Sequence, residues 1–382
     1  VETPSNNTSA TIAMRGGVTI NPAITWEPTV GVYLDGVYLG KTQGAIFDVV
    51  DLERVEILRG PQGTLYGRNT LGGAINLISK KPSGSGTEFK STIGDYGLRQ
   101  FQLISDLKLG DNTFGKVVMN KKDRGGYVKN FVSPFGPPQG VVPTAAPTLN
   151  DLDTIDAEGY RVNLSWNSDV SSLDFAMDYN RQNNTPPFAQ LGNTIPNWST
   201  AFGVGASALT GGLKLWPIEL FTSKDREKVA HINENTFETS KVEGTSLTYS
   251  RDLSFGTVKA IIAKRETTWS DNLDLDGGPF PIANTSRFTT YESDTVEIQL
   301  TGQRNNLNYV LGYYSLKDEA YTSNPQSFFG GQQVFAQNYS GDGDSEAFYG
   351  QFELAVSDKT DVTIGLRKTE EDKEGFKEYV GV

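Results

Sequence analysis

The sequence predicts an all-β protein with membrane-crossing strands, preceded by a compact glycine-rich block. Segments of about 9–15 residues alternate apolar and polar side chains after residue 82, which is the period of strands with two unlike faces. Short turns and long polar insertions connect these segments, as in transmembrane β-barrels. No apolar run reaches the length of about 18 residues that a spanning helix needs. These observations predict an antiparallel sheet of spanning strands.

The composition agrees with this prediction but does not require it. The 382 residues include 41 Gly, one His and no Cys, with a formal net charge of −12 and a mean hydropathy of −0.39. These values alone would favour a soluble, acidic, all-β protein. Barrel strands alternate lipid-facing and water-facing residues, however, so a negative mean hydropathy is compatible with a barrel. The acidic balance argues against a nucleic-acid partner, and without Cys there is no disulfide framework.

The block from Val30 to Pro82 contains the densest group of local signals. Asp35-Gly36 lies between two apolar runs and predicts a tight hairpin. Residues 46–52 have the spacing of a short helical turn, and residues 55–58 have the pattern of a strand. A sharp bend follows, and a buried strand then begins at residue 74. The glycines of this bend, whose density indicates close packing of backbone against backbone, are Gly60, Gly63, Gly67, Gly72 and Gly73.

This block also carries a family resemblance. The run VEILRGPQGTLYGRNTLGGAINLISKKP, preceded by VGVYLDGVYLG and by Met14-Arg15-Gly16, resembles the plug domain of TonB-dependent outer-membrane receptors. The match covers about fifty residues with several spaced glycines, so it is more specific than a single glycine motif. The resemblance implies a plug over residues 1–84. Because neither a TonB-binding box nor a signal peptide precedes Met14, we expect the first part of the plug to lie outside this sequence.

The residues after the plug supply the predicted barrel strands. In one of them Leu173, Phe175 and Met177 oppose Asp174 and Asp178. A two-sheet sandwich would alternate in the same way, so the connections must decide between the two folds. Short turns are expected at 109–112, 168–170, 251–254, 302–306 and 357–361, and long extracellular loops are expected at 124–156, 183–236, 271–287 and 322–344. Long loops are uncommon in compact soluble domains, and their alternation with short turns is typical of an outer-membrane barrel.

The number of strands predicts only part of a barrel. About eleven strands can be placed from Glu88 onwards, whereas plugged outer-membrane transporters have about 22. Residues 85–382 would therefore form the first half of such a barrel. Unpaired sheet edges are costly in hydrocarbon, so this stretch could not close a transporter-sized barrel alone. The predicted fold is a membrane all-β protein, with a partial plug beside an open, curled sheet whose aromatic residues point outwards. Two face-packed sheets would contradict it.

The sequence contains only weak candidates for catalytic or metal-binding residues. Carboxylate pairs such as Glu53/Glu56 could suggest acid–base chemistry, but surface or lumen charge explains them more simply. His231 has no neighbouring Cys or His to complete a metal site, and Gly341-Asp342-Gly343-Asp344 lacks the spacing of a calcium loop. The turn at Gly60 lacks the Lys-Ser/Thr of a phosphate loop. The sequence therefore predicts no enzyme activity, no metal site and no cofactor.

Three plug arginines are candidate positional latches. In the family that this sequence resembles, plug arginines face barrel carboxylates across a water-filled lumen, and such networks are better explained as latches than as sources of stability. The resemblance suggests this role for Arg15, Arg59 and Arg68, with Arg59 as the first choice and Arg15 as the second. The alternative is that these side chains only line the lumen with charge.

Ligand recognition is expected at the plug apices and in the extracellular loops. Aromatic side chains offer large rigid faces that bind with little loss of entropy. Trp26, Trp198 and Trp216 are therefore candidate ligand contacts. Most of the loop aromatics, in contrast, are expected to pack against one another.

The resemblance implies a transport function in the outer membrane of a Gram-negative bacterium. A ligand too large for porins, in this family most often a ferric siderophore, would bind at the extracellular mouth, and TonB would then pull on the plug. The implied partners are TonB, the ligand and outer-membrane lipid. Two alternatives stay open at this point. One is TonB-dependent uptake of carbohydrate or cobalamin, and the other is a surface binding protein that does not transport, although the plug-like block counts against the latter.

Overall fold

The computed structural model describes residues 8, 12–19, 27–41, 50–131, 150–190, 192, 223–232, 236–279, 282–328, 331 and 333–381. Within these ranges the regular structure is β-strand, apart from a 3-10 turn at Asp95–Gly97. No helix in this part of the chain is long and apolar enough to cross a membrane. The strands form one large sheet, one four-stranded sheet and two two-stranded ladders.

The large sheet, here called the wall, contains eleven antiparallel strands that pair in chain order. Its strands are β7 (Gly86–Ile93), β8 (Arg99–Lys108), β9 (Thr113–Arg124), β11 (Ile155–Asn167), β12 (Ser171–Asn184), β14 (Phe237–Leu253), β15 (Gly256–Asp274), β16 (Ala283–Arg304), β17 (Leu307–Phe328), β18 (Gln333–Ser357) and β19 (Thr360–Gly381). One open sheet of eleven strands confirms the predicted fold class. A sandwich of two face-packed sheets is excluded for the described strands.

The connections confirm the short turns but correct two of the long loops. Most of the stretches predicted as loops at 271–287 and 322–344 are strand, because β15 to β18 continue and leave only 275–282 and 329–332 between them. Polar residues pair across these hairpins, as Thr289 does with Thr322. A backbone ladder satisfies its own hydrogen bonds whatever the side chains are, so polarity alone did not indicate a loop.

The other two predicted loops remain long connections. Between β9 and β11 and between β12 and β14, the described residues include only two short strands, β10 (Lys129–Asn130) and β13 (Val229–Ala230), which pair in parallel. Phe188 packs against an apolar cluster of Val128, Leu152, Ala230 and Ile232. This contact joins the two long connections through aliphatic residues, and the expected self-packing of the loop aromatics stays a prediction.

The four-stranded sheet is built by the glycine-rich block. It has the order β4-β3-β6-β5, and a separate ladder of β1 (Ala13–Met14) and β2 (Gly17–Val18) precedes it. Its strands are β3 (Val30–Leu34), β4 (Val37–Tyr38), β5 (Leu52–Arg59) and β6 (Gly73–Ser79). Asp35 and Gly36 have φ values of 53° and 90°, which fit the predicted hairpin turn. The predicted helical turn falls mostly on residues 42–49, which lie outside the described ranges.

The wall has one apolar and one polar face, as its alternation predicted. Ile261 is 2% exposed and faces the four-stranded sheet, whereas the next residue, Ile262, is 59% exposed on the outer face. The exposed outer side chains include Leu173, Met177, Leu247, Ile298, Leu311, Phe348, Ile364 and Leu366. The buried polar side chains of the wall include Asp178, Asn180, Arg265, Ser293 and Asp318. The four-stranded sheet therefore lies against the polar face.

Candidate functional site between the plug segment and the wall

A small apolar patch joins residues 1–84, which the sequence predicts to be the plug and which are here called the plug segment, to the wall. Tyr33, Tyr38 and Ala74 form a buried cluster with Leu316 of β17, which is 0% exposed. The Tyr33 hydroxyl donates a hydrogen bond of 2.8 Å to the backbone oxygen of Tyr66. A second apolar cluster joins Val37 at the hairpin to Ile261 and Ala263 of β15. Burial of these side chains supplies a non-directional contact, so polar contacts must determine the orientation of the plug segment.

Arg68 lies between one plug carboxylate and two wall carboxylates. Its guanidinium is 3.1 Å from Glu27 Oε1, 3.0 Å from Glu371 Oε1 on β19 and 3.6 Å from Asp318 Oδ2 on β17. The Arg68 side chain is only 14% exposed. Because a planar guanidinium offers five donors in a fixed arrangement, it can bind several carboxylates at once. Arg68 thus ties the plug segment to β17 and to β19, whose Glu371 is 303 residues away in sequence.

Glu27 is the plug carboxylate at the centre of this cluster. Its Oε1 atom is 3.6 Å from the amino groups of both Lys41 and Lys373. Its Oε2 atom accepts a hydrogen bond from the Asn69 side chain. Burial by itself would raise the pKa of Glu27, but the charges of Lys41, Arg68 and Lys373 outweigh burial and lower the pKa. Glu27 is therefore ionised whenever the plug segment is docked near neutral pH.

Asp35 makes a second charged contact with the wall, in which the plug segment supplies the carboxylate and the wall supplies the cation. Its Oδ2 atom is 2.6 Å from Arg161 Nη2 on β11. The same carboxylate accepts hydrogen bonds of 2.8 Å from the backbone N–H and the hydroxyl of Ser79. Arg161 also binds Asp178 at 3.0 Å, and Asp178 binds Arg265 at 3.1 Å. From the sequence, Asp35 was predicted only as a turn residue, because its wall partner is 126 residues away.

Further polar contacts lie at the two ends of the plug segment. Thr8 is fully buried, and its hydroxyl donates to Glu238 Oε1 at 2.5 Å and accepts from Trp269 Nε1 at 2.9 Å. At the other end, Lys116 of β9 is 3.3 Å from Asp51 and donates to the backbone oxygen of Lys80 at 3.1 Å. The plug segment is thus held by polar groups along its whole described length.

The structure separates the three predicted latch arginines. Arg68 meets wall carboxylates, as described above. Arg59, the first choice from sequence, is exposed at the end of β5, an edge strand of the four-stranded sheet, and it has no ion pair within the described ranges. Arg15 is also exposed, and its guanidinium lies against Gly60 rather than against a described wall carboxylate. The preference for Arg59 over Arg68 is therefore not supported by the contacts.

The five predicted turn glycines occupy different environments. Gly72 and Gly73 are packed tightly: a Cβ at Gly72 would lie 3.1 Å from the oxygen of Met14, and one at Gly73 would collide with the oxygen of Leu58. Gly60 and Gly67 have positive φ values of 95° and 78°, with a guanidinium above each, whereas Gly63 faces open space. Close backbone packing thus applies to Gly72 and Gly73 in particular.

The predicted ligand contacts cannot be placed in this interface. Trp26, Trp198 and Trp216 lie outside the described residues. Within the described ranges no group of three or more His, Cys, Asp or Glu side chains could hold a metal ion. The described polar contacts between the plug segment and the wall are hydrogen bonds and ion pairs.

Comparison with known proteins gives a family match for the start of the chain. Residues 1–74 match the family model described as the TonB-dependent receptor plug domain. An 82-residue stretch, 22% of this chain, is 39% identical to the pesticin receptor of Yersinia pestis. A 124-residue stretch, 32% of this chain, is 34% identical to the catecholate siderophore receptor Fiu of Escherichia coli K12. These alignments cover 12% and 15% of the two relatives.

The fold of the whole chain also matches solved structures. The ferric yersiniabactin uptake receptor FyuA from Yersinia pestis superimposes with a TM-score of 0.73 at 17% sequence identity. The superposition covers 100% of this chain and 56% of the FyuA chain. This chain therefore spans little more than half of that receptor, and its eleven strands correspond to about half of such a barrel.

Proposed function

This chain carries the plug domain and barrel strands of a TonB-dependent outer-membrane receptor, and from that premise we propose that it takes up a ferric siderophore by TonB-driven displacement of its plug. The observation that carries the proposal is the polar contact between plug segment and wall. Arg68 and Asp35 hold the plug with ion pairs of 3.0 and 2.6 Å, while the buried apolar contacts among the described residues of plug and wall form two small clusters.

The choice of ligand class rests on the relatives. The similar proteins are described as a catecholate siderophore receptor, a ferric yersiniabactin uptake receptor and a pesticin receptor. Two of these descriptions name an iron chelate or a siderophore as the ligand, and ferric chelates are too large and too scarce for passive entry. We therefore propose a ferric siderophore as the ligand class. Trp26, Trp198 and Trp216 stay the proposed aromatic contacts.

The proposed energy source is TonB, acting on the plug from the periplasm. Pulling would have to break the contacts of Arg68 and Asp35 with the wall, and that of the wall residue Lys116 with Asp51, before a passage could open. Each is a charge-assisted hydrogen bond, which is strong when formed but exchangeable with water. We propose that Arg68 acts as the positional latch in this step, and that the plug and barrel meet at residues 84–85.

The test is uptake by the receptor expressed in a strain that lacks its own siderophore receptors. Cells receive a panel of radioactive ferric siderophores, with a labelled oligosaccharide and cobalamin beside them, and each assay is repeated in a strain without TonB. We expect accumulation of at least one ferric siderophore that disappears without TonB. Uptake of only the sugar or cobalamin would replace the proposed ligand, and binding without any uptake would overturn the transport proposal.

A further inference from the structure

One row of inward-facing, directly paired side chains crosses eight neighbouring strands of the wall, β11 to β19. The register pairs its members directly opposite one another from each strand to the next. Directly paired residues of antiparallel strands point to the same face of a sheet. The charged members of this row, here called the belt, are Arg161, Asp178, Arg265, Asp318 and Lys373. Their signs alternate along the wall.

The positions between the charges are small residues. Gly244 stands between Asp178 and Arg265, and a Cβ there would collide with the Arg265 guanidinium. Gly343 stands beside Asp318, and a Cβ there would collide with the Asp318 carboxylate. Because Gly244 has no side chain, Arg265 can lie across β14 and reach Asp178 at 3.1 Å. The glycines therefore allow the belt charges to interact across an intervening strand.

The plug segment presents the opposite charge at three positions along the belt. Asp35 meets Arg161 at 2.6 Å, Arg68 meets Asp318 at 3.6 Å, and Glu27 meets Lys373 at 3.6 Å. The contacts follow the belt from β11 to β19, so plug and belt have complementary patterns rather than one shared ion pair. A complementary pattern fixes relative position, because a displaced plug loses these opposite-charge contacts and, after a shift of one or two strands towards β19, brings like charges together.

The effect of a displacement can be derived from the belt itself. A shift by one strand towards β19 would place Asp35 against Asp178, and a shift by two strands would place Arg68 against Lys373. The side chains of Arg161, Asp178 and Arg265 are only 3%, 5% and 7% exposed, so water could not screen the repulsion. From these contacts we infer that the belt is an electrostatic key that fixes the rotational position of the plug in the wall. This role goes beyond the proposed function, because it involves neither the ligand nor TonB.

The key can be tested with the purified receptor in detergent, without ligand or TonB. Since the sequence contains no Cys, spin labels can be attached at cysteines introduced for Leu71 in the plug and Phe255 at a turn of the wall, which are 74% and 56% exposed. Pulsed electron resonance then gives the distribution of label distances. The background variants are Asp35→Asn, which keeps a turn-forming residue, Arg161→Gln, and the two combined.

We expect one narrow distance peak in the unmodified background. Asp35→Asn and Arg161→Gln should each broaden it or add a second peak, displaced on the order of 10 Å, the width of about two strands. The double variant should do no more than the stronger single one, since both remove the same contact. Arg161→Lys, which keeps the charge, should restore the single peak.

Two further variants keep the test independent of a general loss of stability. Gly244→Ala should broaden the distribution, because the added Cβ displaces Arg265 from Asp178 without removing a charge. Arg181→Gln, which removes an exposed pair with Glu158, should leave the peak unchanged. Unchanged distributions in Asp35→Asn and Arg161→Gln, or equal broadening in Arg181→Gln, would overturn the key. Neither result would affect the uptake proposal, which the transport assay tests separately.

Discussion

At the scale of single residues, Arg68 does more than its sequence position indicates. It lies in the glycine-rich bend of the plug, yet it reaches carboxylates on three separate segments of the chain. A lysine has one compact charge and would satisfy fewer of them at once. Position 68 therefore requires the shape of an arginine side chain as well as its charge.

Replacing Arg68 should loosen the plug. Arg68→Gln removes the cation that faces Asp318 and leaves Glu371 with Lys373 alone, so we expect plug unfolding to become easier by about 2 kcal/mol, below the roughly 3–5 kcal/mol for a fully buried pair. The measurement is the denaturant midpoint of the plug, followed by a fluorescent label. Arg54→Gln is the matched control, since Arg54 has two carboxylate partners but is exposed. An equal loss in both variants would rule out a special role for Arg68.

The charge of Glu27 gives a pH dependence with a defined sign. The surrounding cations outweigh burial and lower its pKa below the ordinary 4.5 when the plug is docked. The stabilisation is therefore fully present above pH 4.5 and is lost as the pH falls through the lowered pKa. We expect Glu27→Gln to be less stable than the unmodified receptor at pH 7. The difference in their free energies of unfolding should narrow steadily below pH 4.5. A difference that stays constant down to pH 3 would contradict this assignment.

Two glycines of the same bend should respond very differently to substitution. A Cβ at Gly73 would collide with the Leu58 oxygen, whereas one at Gly63 would meet nothing. Gly73→Ala should therefore destabilise the plug by about 1–3 kcal/mol or more, and Gly63→Ala should have little effect. Protease resistance of the plug provides the measurement. Similar sensitivity of the two variants would show that the bend is not packed as described.

At the scale of elements, each long wall strand passes through two environments, an apolar band and a polar end. On the outer face of β17, Leu311 lies in the apolar band and Lys317 and Glu319 lie beyond it. The ladder continues through both regions without a break. The strands are therefore longer than the membrane requires, and their polar ends form the hairpins that were predicted as loops.

An arginine placed on β17 can locate the lipid boundary. Leu311→Arg should reduce folding stability in lipid bilayers by about 2–4 kcal/mol, the cost of arginine near the membrane midplane. Glu319→Arg on the same strand and face should have little effect, since it lies beyond the apolar band. Reversible folding into vesicles measures both. Equal effects would mean that the exposed apolar band does not face lipid.

At the scale of the whole molecule, local signals predicted the fold better than they predicted the contacts. The Asp35-Gly36 turn and the alternation of apolar and polar residues each depend on neighbours in the chain, and each was predicted correctly. The pairing of Arg68 with Glu371 or of Asp35 with Arg161 joins residues 303 and 126 positions apart. Nothing in the local pattern distinguishes Arg68 from Arg59, because strand register decides which arginine meets the wall.

The same reasoning explains why the belt was not foreseen. Its members are separated by long and unequal connections, so no fixed spacing marks them in the sequence. They meet because the register of seven successive strand pairs places them in one row. Neither Gly244 nor Gly343 could be assigned this role until the register showed which charged side chains lie beside them.

The central claim is that the plug must leave its contacts with the wall for the ligand to pass. Val37→Cys combined with Ala263→Cys would place two thiols at the packed contact between hairpin and β15, in a sequence without other Cys. The two thiols are first oxidised to a disulfide bridge. The decisive measurement is uptake of the accepted ferric siderophore before and after reduction of this bridge. We expect no uptake while the bridge is closed, normal uptake after reduction, and normal uptake in both single variants. Normal uptake with the bridge verified as closed would contradict plug displacement at this contact.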